Sequence, residues 1–283
     1  MRQCGGLVIV WIRKKEIEQL SAFVKGFISG EELDIRDNKE GAFSVLKNDI
    51  YSLVNKKNEQ IKNTEAERDI LAEYMADISH QLKTPITSMM IMTDLLEDAD
   101  PKKRSEFIHN IKLSLNKLEW LVGALLKMAK LDAGAITFSK KDVKVSELME
   151  AVKPSINILL DIHNQTLELA ADCVINCDKR WTVEALTNII KNAIEHSPDG
   201  SKIEINCGDN PLYYWISVKD SGAGINRSSY SALFKRFENS TAENGFGIGM
   251  PLALSIIKGQ NGDIDVDFGG NGQGATFTLK LFQ

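Results

Sequence analysis

Apolar residues in the first part of the chain recur at spacings of three and four, which is the period of an amphipathic helix. From about residue 16 to residue 96 the sequence is mostly helical in character, with a polar break at residues 30–38. Pro85 lies inside this pattern. It should kink the helix without ending it, because apolar residues continue the same face as far as Leu95.

A second amphipathic helix is expected over Ser105–Lys130, after a polar turn at residues 97–101. Its apolar residues alternate at spacings of four and three and form a strict heptad stripe, namely Ile111, Leu115, Leu118, Val122, Leu125 and Ala129. Two long helices joined by a tight turn make a hairpin, and a hairpin alone cannot bury an apolar stripe on each arm. We therefore expect two copies of the chain to pair as a homodimeric four-helix bundle.

The pattern changes near residues 133–134, where short strand-like runs begin to alternate with helical ones. The strand-like runs are Ala135–Phe138, Cys173–Asn176, Lys202–Cys207, Tyr213–Lys219 and Ala275–Leu281. The helical runs are Val145–Leu160, Trp181–Glu195 and Pro251–Lys258. This mixture predicts a second domain, an α/β sandwich of about 150 residues. The fold class expected for the chain is α+β and multidomain, with the helical hairpin first and the sandwich after it.

Composition and charge narrow the class of protein. The chain has 283 residues, of which 43% are hydrophobic and 26% charged, so we expect globular domains. The formal net charge of −5 gives no support to a nucleic-acid binder that works through a basic surface. The four cysteines are too few and too scattered for a disulfide framework, and their spacing does not fit a zinc site.

The N-terminus carries an apolar run at residues 7–12, followed at once by Arg13, Lys14 and Lys15. This run is far shorter than the roughly 20 residues of a spanning helix, and it lacks the features of a signal peptide. It is either the end of a transmembrane helix whose beginning is missing, or a short membrane-surface or packing segment. The membrane-linked interpretations are favoured, and they place the rest of the chain in the cytoplasm at the inner face of the membrane.

Four features of the second domain suit nucleotide chemistry. Asn188 and Asn192 place two carboxamides on one face of a helix. Asp220–Gly224 (Asp-Ser-Gly-Ala-Gly) follows a strand and offers a carboxylate beside backbone that lacks side chains. Phe234–Phe237 precedes a polar segment, and Gly245–Gly249 opens a helix whose free N–H groups suit phosphate. Each feature alone is a weak signal, and their order along the chain gives them weight.

Upstream of these features, the sequence Ser-His-Gln-Leu-Lys-Thr-Pro at residues 79–85 places a histidine beside the proline of the first long helix. With this motif, the chain resembles the bacterial two-component sensor histidine kinases over roughly residues 46–283. The motif is similar to their phosphoacceptor box. The other four features resemble, in the family's order, the N box, the first glycine box, the F box and the second glycine box.

The resemblance implies the ATP-binding fold that these kinases share with type II topoisomerases and a heat-shock chaperone. Asp220 would accept a hydrogen bond from the adenine amino group, and Gly222 and Gly224 would let the backbone approach the base. Asn192, helped by Asn188, would hold Mg²⁺ through its side-chain oxygen.

The same resemblance assigns the phosphates of ATP to the second glycine box and to two cations. Gly245, Gly247 and Gly249 would form a hinged lid and supply backbone N–H groups. Arg236 is the candidate ligand of the γ-phosphate, and Lys191 is a second cation.

By resemblance, His80 is the phosphoacceptor, since imidazole is nucleophilic near pH 7. The phosphoryl group would then pass to an aspartate in the receiver domain of a response regulator. Thr84 matches the family position that orients water when the kinase also dephosphorylates its regulator. Gln81 departs from the family, which usually has Glu or Asp there, because an amide cannot carry a proton away.

The expected function is therefore that of an ATP-dependent protein-histidine kinase. The alternative is a degenerate kinase that acts mainly as a response-regulator phosphatase or as an ATP-gated scaffold. The expected domains are an N-terminal segment (1–15), a helical signalling segment (16–70), a dimerisation and phosphotransfer domain (71–132) and a catalytic domain (133–283).

Overall fold

The computed structural model describes residues 17–18, 21–22, 24–26, 42–226, 230–238, 246–269 and 274–283. The chain divides into two compact units, residues 1–76 and 77–283. The N-terminal segment at residues 1–15 and the polar break at residues 30–38 lie outside the described residues. Among the helices of the described part, none has the length and apolar character needed to span a membrane.

The first long helix, α1 (Ala42–Leu95), includes residues of both units. It continues beyond Pro85, so the prediction that the proline does not end the helix is confirmed. In the first unit α1 exposes most of its large apolar side chains, namely Val45, Leu46, Leu53, Ile61, Ile70, Leu71 and Met75.

The second arm of the hairpin, α2 (Pro101–Asp132), begins earlier than the sequence pattern indicated. Asp100 caps it, because its Oδ1 accepts hydrogen bonds from the backbone N–H groups of Lys102 and Lys103 at 3.0 and 2.9 Å. Pro101 at the first helical position has no N–H to satisfy and a φ suited to the helix. These two local features fix the start of α2.

The remaining elements alternate strands and helices. They are β1 (Lys141–Lys144), α3 (Val145–Ile162), β2 (Thr166–Leu169), β3 (Val174–Cys177), α4 (Lys179–His196), β4 (Lys202–Asp209), β5 (Tyr213–Lys219), α5 (Tyr230–Leu233), α6 (Gly249–Gly259), β6 (Gly262–Asp267) and β7 (Thr276–Phe282). Five strands form one mixed sheet in the order β2-β4-β5-β7-β6, with only β2 and β4 parallel. Strands β1 and β3 form a separate antiparallel pair. The predicted α/β sandwich is confirmed.

One face of the large sheet is buried, and one hydrophobic core lies between that face and helices α3, α4 and α6. Alternate residues of the central strands supply the sheet side of this core, namely Ile203, Ile205, Cys207, Ile216, Val218, Phe277, Leu279 and Leu281. The helices supply apolar residues at spacings of three and four, as in Val145, Leu148, Val152 and Ile156 of α3. A sheet with one covered face explains why β4, β5 and β7 alternate clearly in the sequence.

The strand predicted over residues 135–138 is wrong. These residues form no regular structure, and the strand that follows them is β1. Phe138 packs edge-on against Trp181 with ring centroids 6.0 Å apart, and the Ser139 N–H donates to Asp178 Oδ2 at 2.8 Å. These contacts hold the segment against the start of α4. The residues that pair with β3 are those of β1, Lys141–Lys144.

Strands β2 and β6 were not predicted from the sequence. Strand β2 is a four-residue edge strand, and β6 lies at the opposite edge of the sheet. Both strands alternate polar and apolar residues, but each has only two apolar positions, Leu167 and Leu169 in β2 and Ile264 and Val266 in β6, so the signal is shorter than in the central strands.

Candidate functional site

Helix α4 carries the two asparagines of the site on consecutive turns. Asp178 caps the start of the helix by accepting a hydrogen bond from the Trp181 N–H at 3.1 Å. Asn188 is buried, and its Nδ2 donates to the carbonyl oxygen of Glu184 at 3.0 Å, which fixes the orientation of the amide. Asn192 is half-buried on the next turn.

The second glycine box lies against the first of these asparagines. Gly249 is the first residue of α6, and a Cβ built there would lie 3.3 Å from Asn188 Oδ1. Gly247 has φ of 64°, in the left-handed region that favours glycine. Gly245 lies outside the described residues. The structure therefore brings Asn188 and the N-terminus of α6 together, although they are distant in the sequence.

Asp220 follows β5 and is buried with its carboxylate in a fixed orientation. Its Oδ1 accepts hydrogen bonds from the backbone N–H groups of Gly222 at 2.8 Å and Ala275 at 2.9 Å. Both bonds use the same oxygen, Oδ1. Ala275 was not identified from the sequence, although it follows a glycine-rich run at residues 269–274.

The glycines near Asp220 are required by the protein's own packing. A Cβ at Gly222 would overlap the carbonyl oxygen of His196 at the end of α4. Gly224 has φ of 82°, and a Cβ there would overlap the carbonyl oxygen of Gly269. These glycines therefore let backbone approach backbone closely, and this packing requires them whether or not a ligand is bound.

Arg236 is bound to the helical hairpin in this structure. Its Nη2 donates to Asp132 Oδ2, at the last residue of α2, at 2.7 Å. The next residue, Phe237, is buried with φ of 65°, an unusual conformation for a bulky residue, and its N–H donates to the carbonyl oxygen of Gly247 at 3.1 Å. The F box is therefore connected to α2 on one side and to the second glycine box on the other.

Two further contacts join α2 to the sandwich. Trp120 stacks on Phe246 with ring centroids 6.0 Å apart and planes 13° apart. Lys127 Nζ donates to Glu184 Oε1 at 2.7 Å. The fully buried residues that join α2 to the core are Leu121, Ala124 and Met128, and Leu125 and Leu131 pack against the core while partly exposed. The predicted heptad stripe lies mainly on another face, and none of its six residues is buried within the single chain.

His80 is exposed on α1, between Ile78 and Leu82, whose side chains pack against the core of the second unit. The Thr84 hydroxyl donates to the carbonyl oxygen of His80 at 3.4 Å, and Gln81 is half-buried. Among the described residues, no hydrogen bond or ion pair joins His80 to Asp220. Lys191, the second expected cation, is half-buried on α4 between the two asparagines.

The described cysteines lie outside this site, in and beside the core. Desolvation raises the pKa of Cys173 to about 12, and it also raises the pKa values of Cys177 and Cys207. Within the described residues, no three His, Cys, Asp or Glu side chains gather as a possible metal site.

The fold and site together define a helical hairpin with an exposed histidine, joined to an α/β domain that carries a buried carboxylate, two asparagines and glycine-rich loops. Residues 70–134 match the His Kinase A (phospho-acceptor) domain, and residues 177–283 match the histidine kinase-, DNA gyrase B-, and HSP90-like ATPase. The two matches together span more than half of the chain. The chain belongs to the bacterial two-component sensor histidine kinases.

Several curated proteins are similar to the chain. The swarming motility regulation sensor protein RssA of Serratia marcescens is 26% identical over 239 residues, which cover 82% of this chain and 51% of that protein. Sporulation kinase C of Bacillus subtilis is 28% identical over 228 residues, covering 79% of this chain and 52% of that protein. Sensor protein SrrB of Staphylococcus aureus is 29% identical over 225 residues, which cover 74% of this chain and 37% of that protein. The chain therefore spans about half of these relatives or less.

Solved structures share the fold. Histidine kinase AdeS of Acinetobacter baumannii aligns with a TM-score of 0.59 and 22% identity, over 72% of this chain and 97% of that one. Histidine kinase ThkA, in complex with response regulator protein TrrA, aligns with a TM-score of 0.59 and 21% identity, over 80% and 66%. Full-length ShkA, in complex with AMPPNP, aligns with a TM-score of 0.56 and 24% identity, over 74% and 46%. The predicted order of hairpin and sandwich is confirmed.

Proposed function

We propose that the chain binds ATP on its second domain, transfers the γ-phosphoryl group to His80, and passes it to an aspartate in a response regulator's receiver domain. The observation that carries the proposal is the convergence of separate motifs on α4. Asn188 lies against Gly249, and the end of the same helix lies against Gly222. One rigid helix thus positions the carboxamides, the first glycine box and the second glycine box.

The adenine end of the site is Asp220. With Oδ1 bonded to two backbone N–H groups, Oδ2 would accept the adenine amino group. Guanine has a carbonyl oxygen at that position, and a carboxylate cannot donate to it, so the site favours adenine.

The residues on α4 fit a magnesium ion bound with the nucleotide. Asn188 uses its nitrogen for the Glu184 carbonyl, which leaves its oxygen, the type of ligand that Mg²⁺ prefers, on the side of Gly249. We assign Mg²⁺ to Asn192 and Asn188. The ion would neutralise phosphate charge, and waters and phosphate oxygens would complete its coordination.

The phosphates are assigned to the start of α6, with Gly245, Gly247 and Gly249, and to the cations Lys191 and Arg236. Backbone N–H groups at a helix N-terminus favour a phosphate. Arg236 must leave Asp132 before it can reach the γ-phosphate, so nucleotide binding competes with the contact between the F box and α2.

His80 would attack the γ-phosphorus through an imidazole nitrogen, with ADP as the leaving group. Its exposure on α1 suits a residue that must meet both a nucleotide and a receiver domain. Thr84 lies one turn away and is assigned to dephosphorylation of the regulator. Replacing Gln81 by Glu should speed autophosphorylation if the missing proton acceptor limits the rate.

The partners and location are part of the same proposal. The heptad stripe of α2, with Leu115, Val122 and Ala129 exposed in the single chain, supports a homodimer through the hairpin. The complex of ThkA with TrrA supports a response regulator as partner. We assign the phosphotransfer domain to residues 71–132 and the catalytic domain to residues 133–283, after a helical segment at 16–70. The basic residues that close the segment 1–15 favour a place at the inner face of the membrane.

The decisive experiment incubates the purified chain with γ-labelled ATP and Mg²⁺ and tests the label for acid lability, which marks a phosphohistidine. We expect labelling of the wild type, none of His80→Gln, and normal labelling of His109→Gln. His109 is also an exposed helical histidine, so it controls for nonspecific effects. Equal labelling of His80→Gln and the wild type would refute the assignment.

The second candidate function is that of a response-regulator phosphatase or ATP-gated scaffold. It is favoured by Gln81 in place of an acid and by the binding of Arg236 to Asp132. A phosphorylated receiver domain separates the two. Rapid phosphate release that Thr84→Ala abolishes, without labelling of His80, would favour the phosphatase.

A further inference from the structure

The loop that carries Asp220 rests on the turn between α4 and β4. Ser197 is the first residue after α4 and is buried, and its hydroxyl oxygen accepts a hydrogen bond from the Ser221 N–H at 3.1 Å. The next residue, Gly222, lies against the carbonyl oxygen of His196. The position of the first glycine box is therefore determined by where α4 ends.

Gln165 fixes the end of α4. It is buried just before β2, and its Nε2 donates to the carbonyl oxygens of Ile194, Ser197 and Pro198 at 3.1, 3.0 and 3.1 Å. Ile194 lies in the last turn of α4, and Ser197 and Pro198 are the first two residues after it, so one side-chain amide ties the last turn of the helix to the turn that follows. Three surrounding carbonyls also decide the orientation of the amide, since only its nitrogen can donate to them.

The other end of the Gln165 amide shows what the residue contributes. Its Oε1 is buried without a hydrogen-bond partner among the described residues. A buried polar atom without a partner lowers stability, whereas an apolar side chain of similar size avoids that loss. The contribution of Gln165 is thus its N–H group, directed at the turn that holds Ser197.

We propose that Ser197 and Gln165 are positioning residues. They hold the Asp220 loop in the position from which its carboxylate accepts a hydrogen bond from the adenine amino group. The inference rests on the proposed ATP site. Ser197 acts directly on the Ser221 backbone, and Gln165 acts through Ser197. Neither residue is assigned any contact with the nucleotide.

The test compares binding of ATP with binding of purine riboside triphosphate, which lacks only the 6-amino group, by calorimetry on the full chain. The ratio of the two dissociation constants measures recognition of the amino group and is insensitive to a general loss of folded protein. We expect Ser197→Ala to reduce the preference for ATP about three- to tenfold, the range of one hydrogen bond, with little change for the analogue. Ser197→Thr keeps an acceptor oxygen and should restore the preference.

Two further variants complete the test. Ser201→Ala removes a hydroxyl from the same turn, where it donates to the Pro198 carbonyl at 2.6 Å, and should leave the preference unchanged. Gln165→Met keeps the volume, removes the donors, and should lower the preference with little further effect in a Ser197→Ala background. An unchanged ratio of the two dissociation constants in Ser197→Ala, whether or not both affinities fall, would overturn this inference alone. A wild-type chain that binds neither nucleotide would overturn the proposed ATP site and this inference with it.

Discussion

Replacing Asp132 by Asn is expected to strengthen ATP binding, because the change weakens the ion pair that holds Arg236 to α2. The two side chains form an ion pair at 2.7 Å, with Arg236 22% exposed and Asp132 47% exposed. Asparagine keeps the size of the side chain and one oxygen that can accept a hydrogen bond, but it removes the negative charge. The substitution thus weakens the pair with little change in packing.

The exposure of the two side chains sets the size of the effect. Solvent-exposed ion pairs stabilise proteins by about 0.2–1 kcal/mol, and the lower exposure of Arg236 places this pair in the upper half of that range. If ATP binding must break the pair, that free energy opposes binding. Its removal should lower the dissociation constant about two- to fivefold.

Calorimetry at low ionic strength provides the assay, and the gain should shrink at high salt because salt screens exposed charges. The matched control is Glu184→Gln, which breaks another ion pair between α2 and the sandwich. Lys127 and Glu184 also lie 2.7 Å apart, with exposures of 38% and 33%. Because neither is assigned to the γ-phosphate, this variant should change the dissociation constant much less.

A third variant isolates the role of Arg236. In an Arg236→Gln background, Asp132→Asn should have no further effect on ATP affinity. An equal gain from Asp132→Asn and Glu184→Gln would show that loosening α2 is what matters, and would refute release of Arg236 as the cause. A gain that persists without Arg236 would refute it too.

Three other outcomes follow from the packing. Gly222→Ala should weaken ATP binding more than about tenfold, because its Cβ overlaps the backbone at the end of α4; normal affinity in calorimetry would contradict this. Leu121→Ala should destabilise the fold by about 2–5 kcal/mol in urea unfolding, since Leu121 is fully buried, whereas Val122→Ala should mainly weaken dimerisation in sedimentation. The high pKa of Cys173, about 12, predicts that its thiol reacts at pH 8 at least about 100-fold more slowly with a disulfide reagent than a free cysteine, and faster as the pH rises.

Much of the fold was predictable from the sequence because its signals are local. The strand predicted at Tyr213–Lys219 has the bounds of β5, and the helix predicted at Trp181–Glu195 lies within α4. The apolar period in these segments can be recognised from neighbouring residues alone, and it indicates which face of the helix or strand will be buried. The start of α2 was missed, although Asp100 and Pro101 were local signals for it.

The residues of the candidate site also fall into two groups, those that local motifs indicate and those whose roles depend on distant contacts. Its motifs are short and contiguous, so the sequence alone selected His80, Asn188, Asp220 and the glycine boxes. Ala275 and Gln165 escaped notice because their roles depend on backbone groups far along the chain. Nothing in the residues around Gln165 indicates that its amide faces the end of α4.

The sequence by itself therefore determined the class of protein, the order of its domains and the residue types of the nucleotide site. Only the tertiary structure decided that Arg236 is bound to Asp132, that one face of α2 packs on the sandwich, and that Ser197 holds the Asp220 loop. The physical reason is that periodicity and motif spacing depend on neighbouring residues. Hydrogen bonds, ion pairs and close backbone contacts depend on which distant segments the folded core brings together.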